Sequence, residues 1–204
     1  MTKIKLCGIT NYEDAKNAMG LGADFLGFNF YGKSPRFIDY KKFNDIIRKL
    51  NGNSKIVGVF VNEPIKNIKK INELCNLDLI QVSGDEPVQY VKELKNSINK
   101  KIIKCFHINQ PISIKKINNY KYDYLMLDSF KNGFYGGTGS SFDLDIIKAI
   151  DNKKLFLAGG LNDKNVKTAI KKINPFAVDV CSGIESKPGK KDFNKMKQFM
   201  EAAR

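Results

Sequence analysis

The stretch IKLCGIT, residues 4–10, is a short apolar run that carries one thiol to its far end and then breaks at a glycine. The two-residue period of a strand places Lys5 and Cys7 on one face and Leu6 on the other. A thiol beside an ammonium group ionises more readily than a free one. Cys7 is therefore a candidate reactive residue, although most free cysteines are small buried core residues and this stretch alone fits that role as well.

Runs of this kind alternate with longer amphipathic segments about eight times along the chain. The predicted strands are Ile4–Gly8, Phe25–Phe30, Ile56–Val61, Leu79–Val82, Ile102–Phe106, Tyr124–Leu127, Leu155–Ala158 and Ala177–Cys181. The predicted helices are Glu13–Leu21, Tyr40–Leu50, Ile65–Cys75, Val88–Ile98, Ile112–Asn118, Phe142–Ile150, Lys164–Ile173 and Asp192–Ala203. Strand followed by helix, repeated along the chain, indicates parallel pairing with both faces of the sheet covered.

This alternation predicts an α/β fold, a single (β/α)8 TIM barrel of parallel strands inside a ring of helices, occupying residues 1–204 as one catalytic domain. About 25 residues per unit is close to the minimum for such a barrel. An open doubly wound sheet is the alternative. The absence of G-x-G-x-x-G after the first strand weakens it.

Composition excludes several classes of protein. The chain is 42% hydrophobic with 16 glycines, and its apolar runs are shorter than the roughly 18 residues of a membrane span. We expect a cytoplasmic protein, since a strand begins at the N-terminus and leaves no room for a signal segment. Four scattered cysteines without a C-x-x-C pair predict reduced thiols, and a single histidine predicts that the protein holds no metal. The short apolar runs predict no membrane partner.

The net charge of +14 raises the possibility of nucleic-acid binding. The lysines, however, occur in nearly every segment, and they form no single stripe with interleaved aromatic residues. They are typical of solvated faces, so the prediction is no nucleic-acid partner. A basic binding protein that uses the barrel as a scaffold is the alternative from another functional class.

Reactive groups of parallel barrels lie where strands end and loops begin. Two glycine turns, Gly159-Gly160 after the seventh strand and Ser182-Gly183 after the eighth, predict a phosphate site, because barrel enzymes often bind phosphate there through backbone N–H groups. A tight turn without a ligand would be the simpler explanation of either one alone.

Three charged residues are further candidates for the site. Arg36 follows a Ser-Pro turn and carries a guanidinium suited to a carboxylate. Asp128 ends an apolar run and is a candidate general acid, or else a loop cap. Asp179 lies within a strand, where a carboxylate needs a partner such as Lys5 or a polar substrate.

Motifs in one order along the whole chain strongly resemble phosphoribosylanthranilate isomerase. They are KLCGIT (5–10), EDA (13–15), GAD (22–24), SPR (34–36), VGVFVN (57–62), IQ (80–81), GDE (84–86), Asp128, GGTG (136–139), FD (142–143), LAGGL (157–161), VDV (178–180), SGIE (182–185) and PGKKD (188–192). The resemblance implies an isomerase of tryptophan biosynthesis that turns N-(5-phosphoribosyl)anthranilate into 1-(2-carboxyphenylamino)-1-deoxyribulose 5-phosphate by an Amadori rearrangement. It implies no cofactor and a small phosphosugar substrate. We expect a monomer or a homodimer, which the sequence does not decide between.

The resemblance also implies roles for individual residues. Cys7 would be the general base and Asp128 the general acid, with Arg36 near the anthranilate carboxylate. Gln81 and Asp179 fall on positions that line the substrate pocket, and the phosphate would lie on the two glycine turns. Another phosphosugar barrel, such as indole-glycerol-phosphate synthase or a histidine-pathway isomerase, is the nearest enzymatic alternative.

The chain departs from the family pattern at two places. Val82-Ser83 stands where Leu-His is common, and Cys181 stands where serine is usual. The missing histidine affects one family contact and not the acid and base. His107 follows the fifth predicted strand, and a structural role is the more probable one for a lone histidine. Asn29 lies within an apolar run, and either faces the pocket or fixes a loop.

Overall fold

The computed structural model describes residues 1–107, 114–128 and 151–204. Eight parallel strands close into a barrel in chain order, each paired with the next and β8 paired with β1. They are β1 (Lys3–Cys7), β2 (Phe25–Asn29), β3 (Lys55–Phe60), β4 (Leu79–Val82), β5 (Lys101–His107), β6 (Tyr124–Asp128), β7 (Leu155–Ala158) and β8 (Ala177–Val180). The predicted TIM barrel is confirmed.

The helices lie outside the barrel and fall close to the predicted positions. They are α1 (Tyr12–Gly20), α2 (Tyr40–Ile47), α3 (Ile65–Cys75), α4 (Val88–Ser97), α5 (Ile114–Asn118), α6 (Val166–Ile173) and α7 (Phe193–Ala203). The predicted helix Phe142–Ile150 and the start of Ile112–Asn118 lie outside the described residues, as do the GGTG and FD motifs. Among the described helices, none has the length and apolar character needed to cross a bilayer.

Side-chain caps fix where several helices begin. Asn11 accepts a hydrogen bond from the Asp14 backbone at the start of α1, and Asp39 accepts from the backbone of Lys41 at the start of α2. Asp192 does the same for α7. Each carboxylate or amide satisfies a backbone N–H that the first turn of a helix leaves without a partner.

Apolar residues fill two separate layers. The larger layer lies between the strands and the helices. The smaller one lies inside the barrel at its amino-terminal end, where the rings of Phe25, Tyr124, Phe156 and Phe176 pack on one another with centroids 5.0–6.3 Å apart. These rings close that end, so the polar residues of the strands gather at the carboxyl-terminal end.

The ends of β1, β5, β6 and β8 differ from the predictions, and each difference affects the site. His107 and Asp128 are the last residues of β5 and β6 and pair directly, rather than lying in the loops that follow. Cys181 lies just beyond β8, with φ −128° and ψ −79°. Gly8 leaves β1 with φ +74°, a conformation that favours glycine.

After β8 the chain forms a short hairpin that the sequence did not predict. A single 3-10 turn, Ser182–Ile184, leads into the antiparallel pair β9 (Glu185–Lys187) and β10 (Lys190–Lys191). The hairpin returns the chain to the carboxyl-terminal end of the barrel, where Thr10 donates a hydrogen bond to the Gly189 carbonyl. Charged side chains of the hairpin therefore reach the end of β1.

Candidate active site

Lys5 and Asp179 form an ion pair inside the barrel. They are opposite one another on β1 and β8, and Lys5 Nζ lies 2.7 Å from Asp179 Oδ1 with both side chains buried. Burial raises the pKa of Asp179 to about 7, despite the attraction of Lys5. Although burial alone would lower it, Asp179 and Cys7 raise the pKa of Lys5, so the ammonium stays charged. The predicted partnership of Asp179 with Lys5 is confirmed.

Cys7 follows Lys5 by two residues on β1, so the two side chains lie on the same face of the strand, as the strand period predicts. A Cβ atom placed on Gly27 of β2 would lie 2.6 Å from the Cys7 sulfur and 3.1 Å from Lys5 Nζ. The thiol and the ammonium group therefore both pack against Gly27. A hydrogen bond with Cys181 lowers the pKa of Cys7 well below its usual value; burial opposes this, and Lys5 and Lys191 reinforce it. The site therefore favours a thiolate at Cys7.

Arg36, Glu185 and Lys191 form a second charged group beside the two thiols. Arg36 donates from Nε and Nη2 to the two oxygens of Glu185, at 2.8 and 2.6 Å. Lys191 Nζ lies 3.0 Å from Glu185 Oε1 and 3.8 Å from the Cys181 sulfur. Against the effect of burial, Arg36 and Lys191 lower the pKa of Glu185, which keeps this carboxylate charged.

The loop that carries Arg36 is tied to the end of β2. Asn29 accepts a hydrogen bond from the Tyr31 backbone and donates one to Ser34 Oγ. Ser34 Oγ in turn accepts from the Arg36 backbone N–H at 3.1 Å. Asn29 therefore fixes a loop, the second of the two roles the sequence left open.

Gln81 faces the barrel interior from β4, in register with Val59 and Ile103. Its Nε2 donates to Ser83 Oγ at 2.9 Å, and the residue is buried. Its Oε1 is also buried, and within the described residues it has no hydrogen-bond partner. A buried amide oxygen without a partner costs free energy unless a ligand or water satisfies it.

Asp128 pairs with the single histidine of the chain. His107 Nδ1 lies 3.3 Å from Asp128 Oδ2, and His107 Nε2 lies 2.8 Å from the backbone carbonyl of Ser83. A carbonyl only accepts, so Nε2 carries a hydrogen and Nδ1 is left to face the carboxyl group. The hydrogen bond to Asp128 raises the pKa of His107.

Asp128 is less enclosed than the sequence indicates. The apolar residues before it are buried, but its own side chain is 40% exposed and that of His107 is 47% exposed. Desolvation at this carboxyl group is therefore incomplete, and its nearest charged neighbour is an imidazole. The sequence missed this contact because it depends on how β5 pairs with β6.

The two glycine turns lie side by side, as predicted. Gly159 and Gly160 have φ of +93° and +62° directly after β7. A Cβ atom on Gly183 would lie 2.1 Å from the Leu161 carbonyl oxygen, which shows how closely the turn after β8 packs on the turn after β7. Backbone groups of both turns therefore share one corner of the barrel end.

Glu185 and Lys191 fall within two of the sequence motifs, but the sequence predicts no role for either. Their sequence signal is the run that follows the eighth strand, but Glu185 is 149 residues from Arg36, so nothing local reveals the pairing. Lys191 is linked to α1 as well, since its backbone N–H donates to Asp14. These two residues belong to the site through the hairpin that returns to β1.

Potential cation ligands also meet at the ends of β5 and β6. In the described part of the chain, Cys105, His107 and Asp128 have donor atoms within 4.8 Å of one another. Burial raises the pKa of the Cys105 thiol, which disfavours the thiolate that a metal requires. The sequence prediction that the protein uses no metal stays a prediction.

A concavity of about 1190 Å³ lies at the opposite, amino-terminal end of the barrel. Its lining includes Lys3, Asp24, Lys55, Lys101 and Tyr124. None of the predicted site residues borders it. The position of the site therefore rests on the strand ends and their reactive groups, and not on the size of this concavity.

Comparison with known proteins identifies the family. Residues 4–202 match the family model described as N-(5'-phosphoribosyl)anthranilate (PRA) isomerase. The N-(5'-phosphoribosyl)anthranilate isomerase of Caldanaerobacter subterraneus subsp. tengcongensis is 42% identical over 205 residues, covering 100% of this chain and 98% of the relative.

Solved structures agree with this result. Monomers of the dimeric phosphoribosylanthranilate isomerase from Thermotoga maritima superpose with a TM-score of 0.86 at 34% identity, over 100% of this chain and 98% of that one. A phosphoribosyl anthranilate isomerase in complex with reduced 1-(o-carboxyphenylamino)-1-deoxyribulose 5-phosphate gives 0.87 at 35% identity, with the same coverage. The chain therefore belongs to the phosphoribosylanthranilate isomerase family, enzymes of tryptophan biosynthesis that convert N-(5'-phosphoribosyl)anthranilate into 1-(2-carboxyphenylamino)-1-deoxyribulose 5-phosphate.

Proposed function

We propose that Cys7 is the general base and Asp128 the general acid of this isomerisation. The observation that carries the proposal is the environment of the Cys7 sulfur, which has a hydrogen-bond partner in Cys181 and ammonium groups nearby on Lys5 and Lys191. Such surroundings keep a thiolate ready at the carboxyl end of a barrel strand, where barrel enzymes place their reactive groups.

The chemistry needs one proton delivered and one removed. Asp128 donates a proton to the ribose ring oxygen as the C1–O bond breaks, which leaves an iminium ion at C1. The iminium acidifies the hydrogen on C2, and the Cys7 thiolate removes it to give an enolamine. The enolamine then tautomerises to the ketone. These steps balance with an acid and a base alone, so the proposed reaction requires no cofactor.

His107 would hold the proton for Asp128. With Nε2–H bound to the Ser83 carbonyl, His107 Nδ1 faces Asp128 Oδ2 at 3.3 Å, so a proton on Nδ1 would be donated to this carboxyl group. The pair can then act as one acid even though Asp128 is half exposed.

Four positions would bind the substrate. Arg36 uses Nε and Nη2 on Glu185, so its remaining Nη1 edge is the part available to the anthranilate carboxylate. The Gln81 Oε1 atom would accept from a substrate N–H or O–H group, and Asp179 would do so beside Lys5. The backbone N–H groups of Gly159-Gly160 and Ser182-Gly183 would bind the phosphate.

We further propose that residues 1–204 act as one catalytic domain in the cytoplasm, without nucleic-acid or membrane partners. Whether the chain acts as a monomer or as a homodimer is an open part of the proposal. The Thermotoga maritima relative is described as dimeric, which supports the second form.

The test is the loss of phosphoribosylanthranilate fluorescence on turnover. Cys7→Ser and Asp128→Asn should each lower kcat by about 10²- to 10⁴-fold, because each removes one proton-transfer group. Cys75→Ser is the matched control, since Cys75 ends α3 and is buried in the layer between strands and helices. Near wild-type turnover in a folded Cys7→Ser protein would overturn the assignment of the base.

A further inference from the structure

We propose that Cys7 and Cys181 form a two-thiol oxidation site, which reacts with a hydroperoxide and closes to a disulfide. The proposal rests on the proposed function only for its effect on turnover, because the bond itself forms whether or not Cys7 is the base.

The two thiols are neighbours by strand register. Strands β1 and β8 pair from Lys3 opposite Ala177 to Leu6 opposite Val180. The next residues along the chain are Cys7, which ends β1, and Cys181, which lies just beyond β8. A hydrogen bond between the two thiols lowers the pKa of Cys7 and raises that of Cys181. Neighbouring strands lie about 4.7–4.9 Å apart, which is within the Cα separation that a disulfide spans.

The space around the pair is closely shared. A Cβ atom on Gly8 would lie 2.9 Å from the Cys181 sulfur and 3.3 Å from Lys191 Nζ. Cys181 is partly exposed, whereas Cys7 is buried and has 9% of its surface exposed. A small peroxide can therefore enter from the same end as the substrate and needs no opening of the barrel.

The two sulfurs differ in the way that this reaction requires. The surroundings favour a thiolate at Cys7. The pKa of Cys181 is raised by the hydrogen bond with Cys7 and by burial, so Cys181 keeps its proton. A thiolate attacks the peroxide, and the neighbouring thiol resolves the product. Lys191, 3.8 Å from the Cys181 sulfur, adds positive charge that favours both anionic steps.

The other two cysteines lack these features. Burial raises the pKa of Cys75 to about 11, and burial also raises the pKa of Cys105, which lies inside the barrel. Both remain protonated near neutral pH and react slowly with peroxide. They serve as internal controls within the same chain.

The reaction balances in two steps. The Cys7 thiolate attacks the terminal oxygen of a hydroperoxide, an S–O bond forms, the O–O bond breaks, and hydroxide or alkoxide leaves after taking up a proton. Cys181 then loses its proton and attacks the Cys7 sulfenic acid, so an S–S bond forms, the S–O bond breaks and water leaves. Two thiols are oxidised by two electrons while the peroxide is reduced.

The test uses the full chain and hydrogen peroxide. After treatment the mass should fall by two hydrogen atoms. Blocking of the free thiols should then modify only two of the four cysteines, and digestion should yield a peptide pair linking Cys7 to Cys181. A dithiol reductant should restore both thiols and the turnover. A linkage that involves Cys75 or Cys105 instead would overturn the proposal.

Cys181→Ser is the matched variant. Without the resolving thiol, Cys7 should gain oxygen atoms, the sulfinic acid should form, and reductant should no longer reverse it. Equal oxygen uptake at Cys7 in wild-type protein and variant, with no disulfide in either, would overturn the proposal. Because the readout is covalent, a failure of the isomerase assignment would leave this result unaffected and distinguishable.

Discussion

The thiol of Cys7 and the carboxyl group of Asp128 are held in opposite ways by the strands that carry them. The base side consists of Lys5, Cys7 and Asp179, which are buried inside the barrel, and of Cys181, which lies just after β8 and is partly exposed. Lys5 and Asp179 are paired with one another. The acid side is the chain Ser83–His107–Asp128 at the ends of β4, β5 and β6. Its two ionisable groups are nearly half exposed.

The difference follows from what each group must do. A thiolate in a buried site needs fixed positive charge and hydrogen-bond donors, and these cost stability unless they are paired. A carboxyl acid needs a proton, which one neighbouring imidazole can hold in partial contact with water. Substitutions on the base side should therefore lower the free energy of unfolding, whereas substitutions on the acid side should leave it nearly unchanged.

The largest expected effect is the loss of stability when the ion pair of the base side is removed. Lys5→Met leaves the buried carboxylate of Asp179 without its partner, and loss of one member of a buried pair costs about 3–5 kcal/mol. Lys3→Met, two residues earlier on the same strand, breaks the exposed pair with Asp24 and should cost about 1 kcal/mol or less. Urea denaturation of both variants measures the contrast, and equal losses would contradict it.

A smaller loss of stability is expected from a substitution that disturbs the packing of the turn after β8. Gly183→Ala forces a methyl group to within 2.1 Å of the Leu161 carbonyl, so we expect a loss of about 1–3 kcal/mol and a raised KM from the displaced phosphate turns. Gly20→Ala is the control, because no atom lies within 4 Å of the added methyl group. An unchanged KM in Gly183→Ala would remove the support for a phosphate site there.

The smallest expected effect is a shift in the pH dependence of kcat/KM when the acid side is altered. The pKa of His107 is raised, so the proton on Nδ1 is present below that pKa and lost as the pH rises through it; kcat/KM should fall on the basic side. His107→Gln should move this basic limb to lower pH, with little loss of stability. Lys101→Gln, at the exposed start of β5, is the control. An unmoved limb would show that His107 does not hold the proton.

The sequence predicts the fold well because the barrel depends on local patterns. Short apolar runs, helical segments and the strand period fix the order of elements and place Lys5 beside Cys7. The two glycine turns are predictable for the same reason, since β7 and β8 are adjacent.

The remaining contacts depend on register between distant segments. The bidentate pair of Arg36 with Glu185 requires the hairpin after β8 to return to the loop after β2. The contact of His107 with Asp128 requires these residues to be opposite one another on β5 and β6. Neither spacing leaves a local trace in the sequence, so the sequence alone favours a structural role for the lone histidine.

The most direct test of the account compares two titrations of the same protein. Thiolate absorbance in the ultraviolet, measured as the difference between wild type and Cys7→Ser, gives the pKa of the Cys7 thiol. The pH dependence of kcat/KM for phosphoribosylanthranilate gives the pKa of the group that must be deprotonated. We predict that the two values coincide and lie below the value of about 8.5 for a free thiol. A Cys7 thiol that titrates at or above that value, or an acidic limb of kcat/KM that does not follow it, would contradict the assignment of Cys7 as the base.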